Sequence, residues 1–258
     1  MGALVIYIDG IGWYSPGAAD WTEAARQLRG EAATDAAPGR PNPAVLTPNE
    51  RRRAPEPVAI ACDVAGQACA MAARGPASLA CVFASAHGDL ATTDALCTTL
   101  ATEPLETSPI KFHNSVHNAP AGYWTIATHC HAASTAVAAW HGSFAAGLLE
   151  AATQACADEV SVLFACYDIA PRGPLVEVID QPEPFGVAFV LGSERSERTC
   201  AQLRLRHEAD APEYVFPHPQ SPMPATFRPL FTALAHSRPA HLRMRNGRAS
   251  ALAIEVAA

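Results

Sequence analysis

The chain has 258 residues, 49% of them hydrophobic, and carries a formal net charge of −7. This composition excludes a disordered chain, because disorder requires low hydrophobicity and high charge. The acidic balance argues against a nucleic-acid partner, since such proteins neutralise phosphates with basic residues. No apolar run approaches the roughly 20 residues that a membrane helix needs. We therefore expect a globular protein that neither binds nucleic acid nor spans a membrane.

The start of the chain and its cysteines indicate a compartment. The first ten residues, MGALVIYIDG, lack the basic segment and the cleavage site of a secretion signal. None of the eight cysteines belongs to a CxxC pair, and most lie in apolar runs, where a free cysteine behaves as a small hydrophobe. We expect a cytoplasmic protein with reduced thiols.

The first sixty residues predict a strand, a helix and a long loop. The apolar run at residues 3–8 is typical of a buried strand, and Asp-Gly-Ile-Gly at residues 9–12 predicts a tight turn after it. Asp20 is suited to cap a helix that runs to about Leu28. Residues 30–57 are rich in proline and contain three consecutive arginines, which indicates a surface loop.

Helices and strands alternate in the rest of the chain. Helices are predicted at 58–73, 90–101, 112–128 (bent near Pro120), 143–155 and 225–236, and strands at 79–85, 134–139, 159–166, 185–191, 240–245 and 250–256. A proline-rich stretch at 212–224 separates the last of these elements from the rest. This alternation favours an α/β fold with a mostly parallel sheet core.

Glycine and histidine patterns suggest ligands, but each has a simpler interpretation. The Gly10-Ile11-Gly12 turn lacks the third glycine of a dinucleotide-binding fingerprint. Four histidines and a thiol within 19 residues could hold Zn²⁺, but no HExxH motif supplies a general base, and neutral hydrogen-bonded histidines explain the pattern as well. These residues are His113, His117, His129, His131 and Cys130. We expect neither a metal ion nor a cofactor.

Two residues are candidate catalytic groups. Cys130 stands between two histidines, which could lower its pKa and make it nucleophilic. Neighbours in an extended chain point to the opposite face, however, so a buried structural thiol is favoured. His141 precedes a predicted helix, where the helix dipole favours a neutral imidazole that could act as a base.

Three segments resemble the β-ketoacyl synthases. Residues 108–126, SPIKFHNSVHNAPAGYWTI, resemble the region just before the nucleophile of these enzymes, with VHN, AG and TI at the family's spacing. Residues 8–16 are similar to the opening strand and its turn, and residues 185–192 to a later GFVLG strand. More narrowly, residues 108–124 and SFAAGLLEA resemble short ketosynthase-like proteins of aryl-polyene and xanthomonadin-type pigment pathways. The resemblance implies a thiolase-like fold and work on acyl chains carried by acyl carrier protein.

The departures from the family pattern concern catalysis. Ketosynthases place a cysteine at the start of a buried helix, but the matching position here falls on Trp140 or His141. The two histidines that these enzymes supply from their second half have no counterpart in a matching context. This alignment predicts that the strand at 134–139 is buried and that the helix at 143–155 begins directly behind Trp140 and His141.

The resemblance implies a non-catalytic subunit of the chain-length-factor type. We expect it to have no catalytic residue of its own and to pair with a complete ketosynthase as a heterodimer, or with a second copy, and to meet acyl carrier protein through that complex. Seven residues are expected to line an acyl tunnel or the subunit interface, although they could instead merely satisfy each other across that interface: Lys111, Phe112, His113, Asn114, His117, Asn118 and Ala121.

Two further expectations complete the sequence analysis. Residues 1–192 are predicted to form the ketosynthase-like core, and residues 193–258 a short C-terminal extension packed on the same domain. The alternative function is a stand-alone acyltransferase or thioesterase that uses His141 or Cys130.

Overall fold

A computed structural model describes residues 2–31, 39–209, 223–247 and 249–257 of the chain. Its strands are β1 (Leu4–Tyr14), β2 (Ala80–Ala84), β3 (Ser134–Val137), β4 (Val162–Asp168), β5 (Phe185–Gly192), β6 (Ala201–Glu208), β7 (Ala240–Arg245) and β8 (Ala251–Ala257). Its helices are α1 (Trp21–Leu28), α2 (Pro48–Arg53), α3 (Glu56–Ala72), α4 (Leu90–Thr102), α5 (Pro109–Asn114), α6 (Ala119–Thr128), α7 (Ser143–Asp158) and α8 (Met223–Ala235). The strands form one sheet in the order β3-β2-β4-β5-β1-β6-β8-β7.

The α/β fold is confirmed, and its sheet is mixed rather than mostly parallel. β2 pairs in parallel with β3 and β4, whereas β1, β4, β5, β6, β7 and β8 meet their other neighbours in antiparallel register. Parallel pairing needs a crossover connection. Helices α4 to α6 link β2 to β3, and α7 links β3 to β4, whereas only a loop with a short 3-10 turn links β4 to the adjacent β5.

The predicted turn at residues 9–12 is wrong, because β1 runs straight through it to Tyr14. The two glycines allow helix α3 to pack directly on the strand. A Cβ added at Gly10 would lie 2.1 Å from the Ala68 carbonyl oxygen, and one at Gly12 would lie 2.0 Å from the Val64 carbonyl oxygen. The register with β5 shifts between Ile8 and Gly10 at a β-bulge. The glycine signal therefore marks close approach of two backbones.

Helices cover both faces of the sheet. Helix α3 packs on β1, β4 and β5 and contacts α6 on one face. Helix α7 packs on β1, β2 and β4 on the other face, where α8 adds large aromatic side chains to the core. Phe227 and Phe231 of α8 lie 4.8 and 6.2 Å, centroid to centroid, from Phe144 at the start of α7. The hydrophobic core on this face of the sheet therefore lies directly behind the β3–α7 connection.

Most other predicted elements are present, with three differences. The region predicted as a loop at 30–57 contains the helix α2, which Thr47 caps through a reciprocal capping box with Glu50; within it, residues 32–38 lie outside the described residues. The predicted helix at 112–128 is divided into α5 and α6. Strand β6 was not predicted. The proline-rich stretch lies outside the described residues except for Met223 and Pro224.

Strand β3 was expected to be buried, and this expectation is wrong for the chain on its own. It forms the edge of the sheet, pairs only with β2 among the described residues, and leaves Ser134 and Ala136 exposed. The helix behind it does begin where predicted, because a 3-10 turn at Trp140–Gly142 leads directly into α7.

The C-terminal residues extend the same sheet. Strands β6, β8 and β7 continue from β1, and α8 packs behind them. The boundary at residue 192 between a core and an extension stays a prediction. In the described part of the chain, no helix combines the length and the apolarity that crossing a bilayer requires.

The contact between β1 and α3 generates a stability prediction. Gly12→Ala should lower the free energy of unfolding by about 1–3 kcal/mol or more, because the added methyl group would overlap the backbone of α3. Gly66→Ala, on α3 itself, meets no atom within 4 Å and should instead be neutral or stabilising by up to about 1 kcal/mol. Urea unfolding measures both. Equal effects of the two substitutions would contradict the packing.

Candidate functional site

The connection from β3 to α7 is a tight strand–turn–helix. Gly142 N donates to the Ala139 carbonyl oxygen at 2.9 Å. The Ser143 hydroxyl accepts from Ala139 N at 2.9 Å and donates to the Trp140 carbonyl oxygen at 2.7 Å. These bonds close the turn and start the buried helix α7. The arrangement presents the residue at the turn to the carboxyl ends of β2 and β4.

Trp140 occupies the strained position of this turn. Its φ is +50°, in the left-handed region that a bulky residue rarely adopts. The residue is 60% exposed, and its ring lies 5.3 Å, centroid to centroid, from His141 and 6.4 Å from His87. An indole and an imidazole therefore stand where the family's nucleophilic thiol was expected.

Asp168 ties the strands next to this turn together. It lies at the end of β4, fully buried, and accepts from the Ser85 hydroxyl at 2.6 Å, from Ala86 N at 3.1 Å and from His87 N at 3.2 Å. Burial raises the pKa of Asp168 to about 6, although these three hydrogen bonds favour the ionised form. The carboxylate therefore fixes the loop after β2 against the end of β4.

Histidines complete the polar network around Asp168. The His117 imidazole Nε2 lies 3.0 Å from the carbonyl oxygen of Ser85, which links α6's leading loop to the same corner. Burial and the neighbouring His141 lower the pKa of His87. Both effects favour the neutral form of the His87 imidazole.

The space beside the turn is too small for a substrate. A cavity of about 20 Å³ lies among Trp140, His141, Asp168 and Gln181. That volume is close to the minimum that holds one water molecule. A cavity of this size does not hold an acyl chain.

The predicted tunnel or interface residues lie mostly on the surface. Lys111, Phe112 and His113 are exposed on α5, Asn114 is half-buried at its end, His117 is half-buried and Asn118 is exposed before α6. Ala121 differs: it is 2% exposed and packs in the core with α3. The sequence places it on α6, but only the packing shows that it faces inward. It cannot belong to a surface of the folded chain.

The histidine and cysteine patterns do not converge on a reactive site. Within the described ranges, no group of three or more His, Cys, Asp or Glu side chains is placed to hold a metal ion. Cys130 is buried, and its Sγ donates to the Leu79 carbonyl oxygen at 3.3 Å. All eight cysteines are free, and burial raises the pKa of Cys62 to about 12 and of Cys81 to about 11. Such thiols are poor nucleophiles at neutral pH.

One side of the molecule exposes large apolar side chains. Among the described residues, six that lie on or between α4, α5 and α6 are each more than half exposed: Leu100, Leu105, Ile110, Phe112, Val116 and Ile126. We call this set the apolar surface. Only Leu90 of the thirteen residues of α4 is buried. Large apolar side chains that are exposed on successive elements of a fold are typical of an interaction site.

The free edge of β3 lies beside the apolar surface. Cys81 N and Ser85 N donate to the carbonyl oxygens of Ala133 and Val137, so the backbone groups of these alternate residues face β2. In a parallel strand the intervening residues point their N–H and C=O groups the other way. Ser134 and Ala136 therefore present free donors and acceptors at the edge, where another strand can pair.

Sequence reasoning missed the Asp168 network. Asp168 ends a strand that is otherwise apolar, and Ser85 follows the end of β2. Parallel strands bring their carboxyl ends to one edge of a sheet, which is where α/β proteins place ligands. Polar residues that end buried strands were therefore the available signal.

The raised pKa of Asp168 generates a prediction on stability. The folded pKa of about 6 lies above the ordinary value of 3.8, so the native state holds this proton more tightly than the unfolded chain. The contribution of Asp168 to the free energy of unfolding is therefore largest below about pH 4 and falls, by about 3 kcal/mol at most, as the pH rises through 6. Compared with Asp168→Asn, the wild type should lose more stability between about pH 4 and pH 7 in urea unfolding.

Asp158→Asn is the matched control for this prediction, since it removes an exposed carboxylate at the end of α7. It should keep the pH dependence of the wild type. Identical pH dependence of the wild type and Asp168→Asn would show that Asp168 does not titrate in this range.

Comparisons with known proteins place this geometry in a family. Residues 20–247 match the model of the β-ketoacyl synthase N-terminal domain, and comparison with curated protein sequences gave no match. A chain of "Ketosynthase (ApeO) in Complex with its Chain Length Factor (ApeC) from Xenorhabdus doucetiae" is 23% identical, with a TM-score of 0.75 over 98% of this chain and 99% of that chain.

Two further structures show how the length of this chain compares with that of similar chains. A chain of the complex of the type II acyl-carrier protein AntF with its ketosynthase AntDE is 11% identical, with a TM-score of 0.73 over 99% of both chains. A β-ketoacyl synthase from Burkholderia phymatum is 13% identical, with a TM-score of 0.60 over 83% of this chain but only 66% of that chain. These similarities confirm the thiolase-like α/β fold, and the matched domain shows that the chain belongs to the β-ketoacyl synthase N-terminal domain family.

Proposed function

We propose that this chain is a non-catalytic subunit of the chain-length-factor type. It pairs with a complete β-ketoacyl synthase, in the cytoplasm, during elongation of polyene or fatty-acid-like chains on acyl carrier protein. The observation that carries the proposal is the combination of a β3–α7 turn that carries Trp140 and no thiol with an exposed apolar surface on and between α4, α5 and α6. A chain that keeps a family's fold and loses its nucleophile can serve that chemistry through a partner.

The similar structures support this proposal by the length of the matched chains and by the proteins that their titles name. The chain covers almost all of the chains matched in two structures whose titles name a ketosynthase together with a chain length factor or a carrier protein. It covers two thirds of a β-ketoacyl synthase from Burkholderia phymatum. Among those neighbours, it therefore matches in size the chains that occur in ketosynthase complexes.

The proposed interface consists of the apolar surface and the edge of β3. An obligate interface buries more than about 2,000 Å² and is apolar. The large apolar side chains of helix α4 and the adjacent α5 face water in the isolated chain. A partner that covers them would supply the apolar contact that such an interface needs. Pairing of a partner strand along β3 would satisfy the free backbone groups of Ser134 and Ala136, and the apolar surface would be covered in the same step.

The proposed role in elongation is geometric. Phe112, 67% exposed on α5, is the bulky side chain that would close the far end of the partner's acyl tunnel. Five neighbouring residues would serve as polar lining or as interface hydrogen-bond partners: Lys111, His113, Asn114, His117 and Asn118. Ala121 takes no part, since it lies in the core. The partner would supply the nucleophile and the groups that decarboxylate the extender unit.

The alternative of a stand-alone acyltransferase or thioesterase is not favoured. Its candidate nucleophile, Cys130, is buried and already hydrogen-bonded to Leu79. Its candidate base, His141, borders a cavity with room for about one water molecule. Neither residue can reach a substrate in this arrangement.

Complex formation by a charged variant tests the proposed interface. Phe112→Asp should weaken binding to the partner ketosynthase by about 2 kcal/mol or more, roughly thirtyfold, because it replaces a large exposed side chain of the apolar surface with a carboxylate. Val160→Asp, 41% exposed at the opposite end of the sheet, should leave binding unchanged. Co-purification and titration by calorimetry measure both. Unchanged binding of Phe112→Asp would remove α5 from the interface.

A backbone variant tests the strand pairing separately. Ala136→Pro deletes an N–H group that points away from β2, and proline is tolerated on edge strands in that orientation. The isolated chain should stay folded, whereas the complex should be weakened at least tenfold, because one hydrogen bond is lost and the proline ring obstructs the incoming strand. Ala136→Thr keeps the N–H group and should bind as the wild type does. Equal binding of both variants would show that β3 remains unpaired in the complex.

A further inference from the structure

An open cavity of about 840 Å³ lies on the α3 side of the sheet, away from the Trp140 turn. It shares no lining residue with the cavity beside that turn. Among the described residues, its charged wall consists of Arg40, Arg51, Arg52, Arg172 and Glu56. Its remaining wall is formed by Tyr14 and small or ring-shaped apolar residues: Pro41, Pro48, Ala54 and Ala59. This volume is within the range of small-molecule sites.

The cavity concentrates positive charge in an acidic protein. The whole chain has a net charge of −7 and only 18 basic residues, yet four arginines border this one cavity. The carboxylates that face them are Glu56 in the wall and Asp63, which lies beneath Arg51 on α3. The local balance is therefore positive, opposite to that of the molecule. Such a concave basic site attracts anions.

The arginines are weakly neutralised by their neighbours. Arg51 and Arg52 donate to the side-chain oxygens of Asn42 and Asn49, which carry no charge. Arg51 Nε is buried and has no hydrogen-bond partner among the described residues. Arg172 approaches Glu56 only to 3.7 Å, and both side chains are exposed. Guanidinium groups held in this way keep most of their capacity for an external anion.

We propose that this cavity binds a phosphate ester whose organic part is apolar or extended. Guanidinium groups bind phosphate in a bidentate manner, and several around one cavity select a ligand with more than one phosphate oxygen at the surface. The proline and alanine wall with Tyr14 provides an apolar contact for the rest of the ligand. The same chemistry has two sources, a free coenzyme A thioester or the phosphopantetheine group of a carrier protein. The proposal does not depend on the proposed function as a chain-length factor.

Titration calorimetry of the full chain with coenzyme A, 4′-phosphopantetheine and inorganic pyrophosphate tests the site. Coenzyme A should bind, and Arg40→Ala and Arg52→Ala should each lower its affinity about tenfold or more and weaken the salt dependence, since both residues are exposed and line the cavity. Arg53→Ala is the matched control, because Arg53 is exposed on the same helix but does not line the cavity. It should bind coenzyme A as the wild type does.

The probes separate the two sources. Equal affinity for 4′-phosphopantetheine and coenzyme A assigns the site to a carrier-bound arm, whereas much tighter binding of coenzyme A assigns it to the free coenzyme. The absence of binding of all three probes at millimolar concentration would overturn the proposal. Equal loss of affinity in Arg52→Ala and Arg53→Ala, or unchanged affinity in Arg40→Ala and Arg52→Ala, would also overturn it. None of these results affects the outcome of the interface tests, because Phe112 and Ala136 lie outside the cavity.

Discussion

The close packing of α3 on β1 is the contact on which the rest of the structure depends. Glycines at positions 10 and 12 allow the helix backbone to approach the strand to a distance that no side chain permits. This contact fixes β1 between β5 and β6, and these strands carry the sheet from the turn at Trp140 to the C-terminal strands. Helix α6 packs beside α3 on the same face of the sheet, with Ala121 directed into the core. The apolar surface therefore begins on the outer side of α6.

The β3–α7 turn carries an indole and an imidazole at the position that the resemblance to ketosynthases assigns to a thiol. Tight hydrogen bonds around Ser143 start α7 where a nucleophile would stand, and Asp168 holds the neighbouring strand ends in place. Trp140 takes a left-handed backbone conformation at this turn, and strained residues of this kind cluster at functional sites. In the proposed function, Trp140 stands in place of the nucleophile that the partner ketosynthase supplies.

Sequence patterns predicted much of the fold but less of the site. Helices α1, α3 and α7 and the buried strands followed from capping and hydrophobic runs. The turn at Gly10 was wrong because glycine signals close packing as well as turns. Strand β6 was missed, although Leu203 and Leu205 alternate with arginines in a strand period. The inward direction of Ala121 and the convergence of Ser85 with Asp168 depend on helix phase and strand pairing, which one sequence does not contain.

Condensation activity measured in three preparations tests the central claim most directly. The isolated chain, the partner ketosynthase and their complex would each be supplied with malonyl and acyl thioesters of the carrier protein, and the elongated products would be followed by mass spectrometry. Our account predicts no elongation by the isolated chain and elongation by the complex that is lost when the partner's nucleophilic thiol is replaced. Elongation by the isolated chain, or by a complex whose partner lacks that thiol, would contradict it.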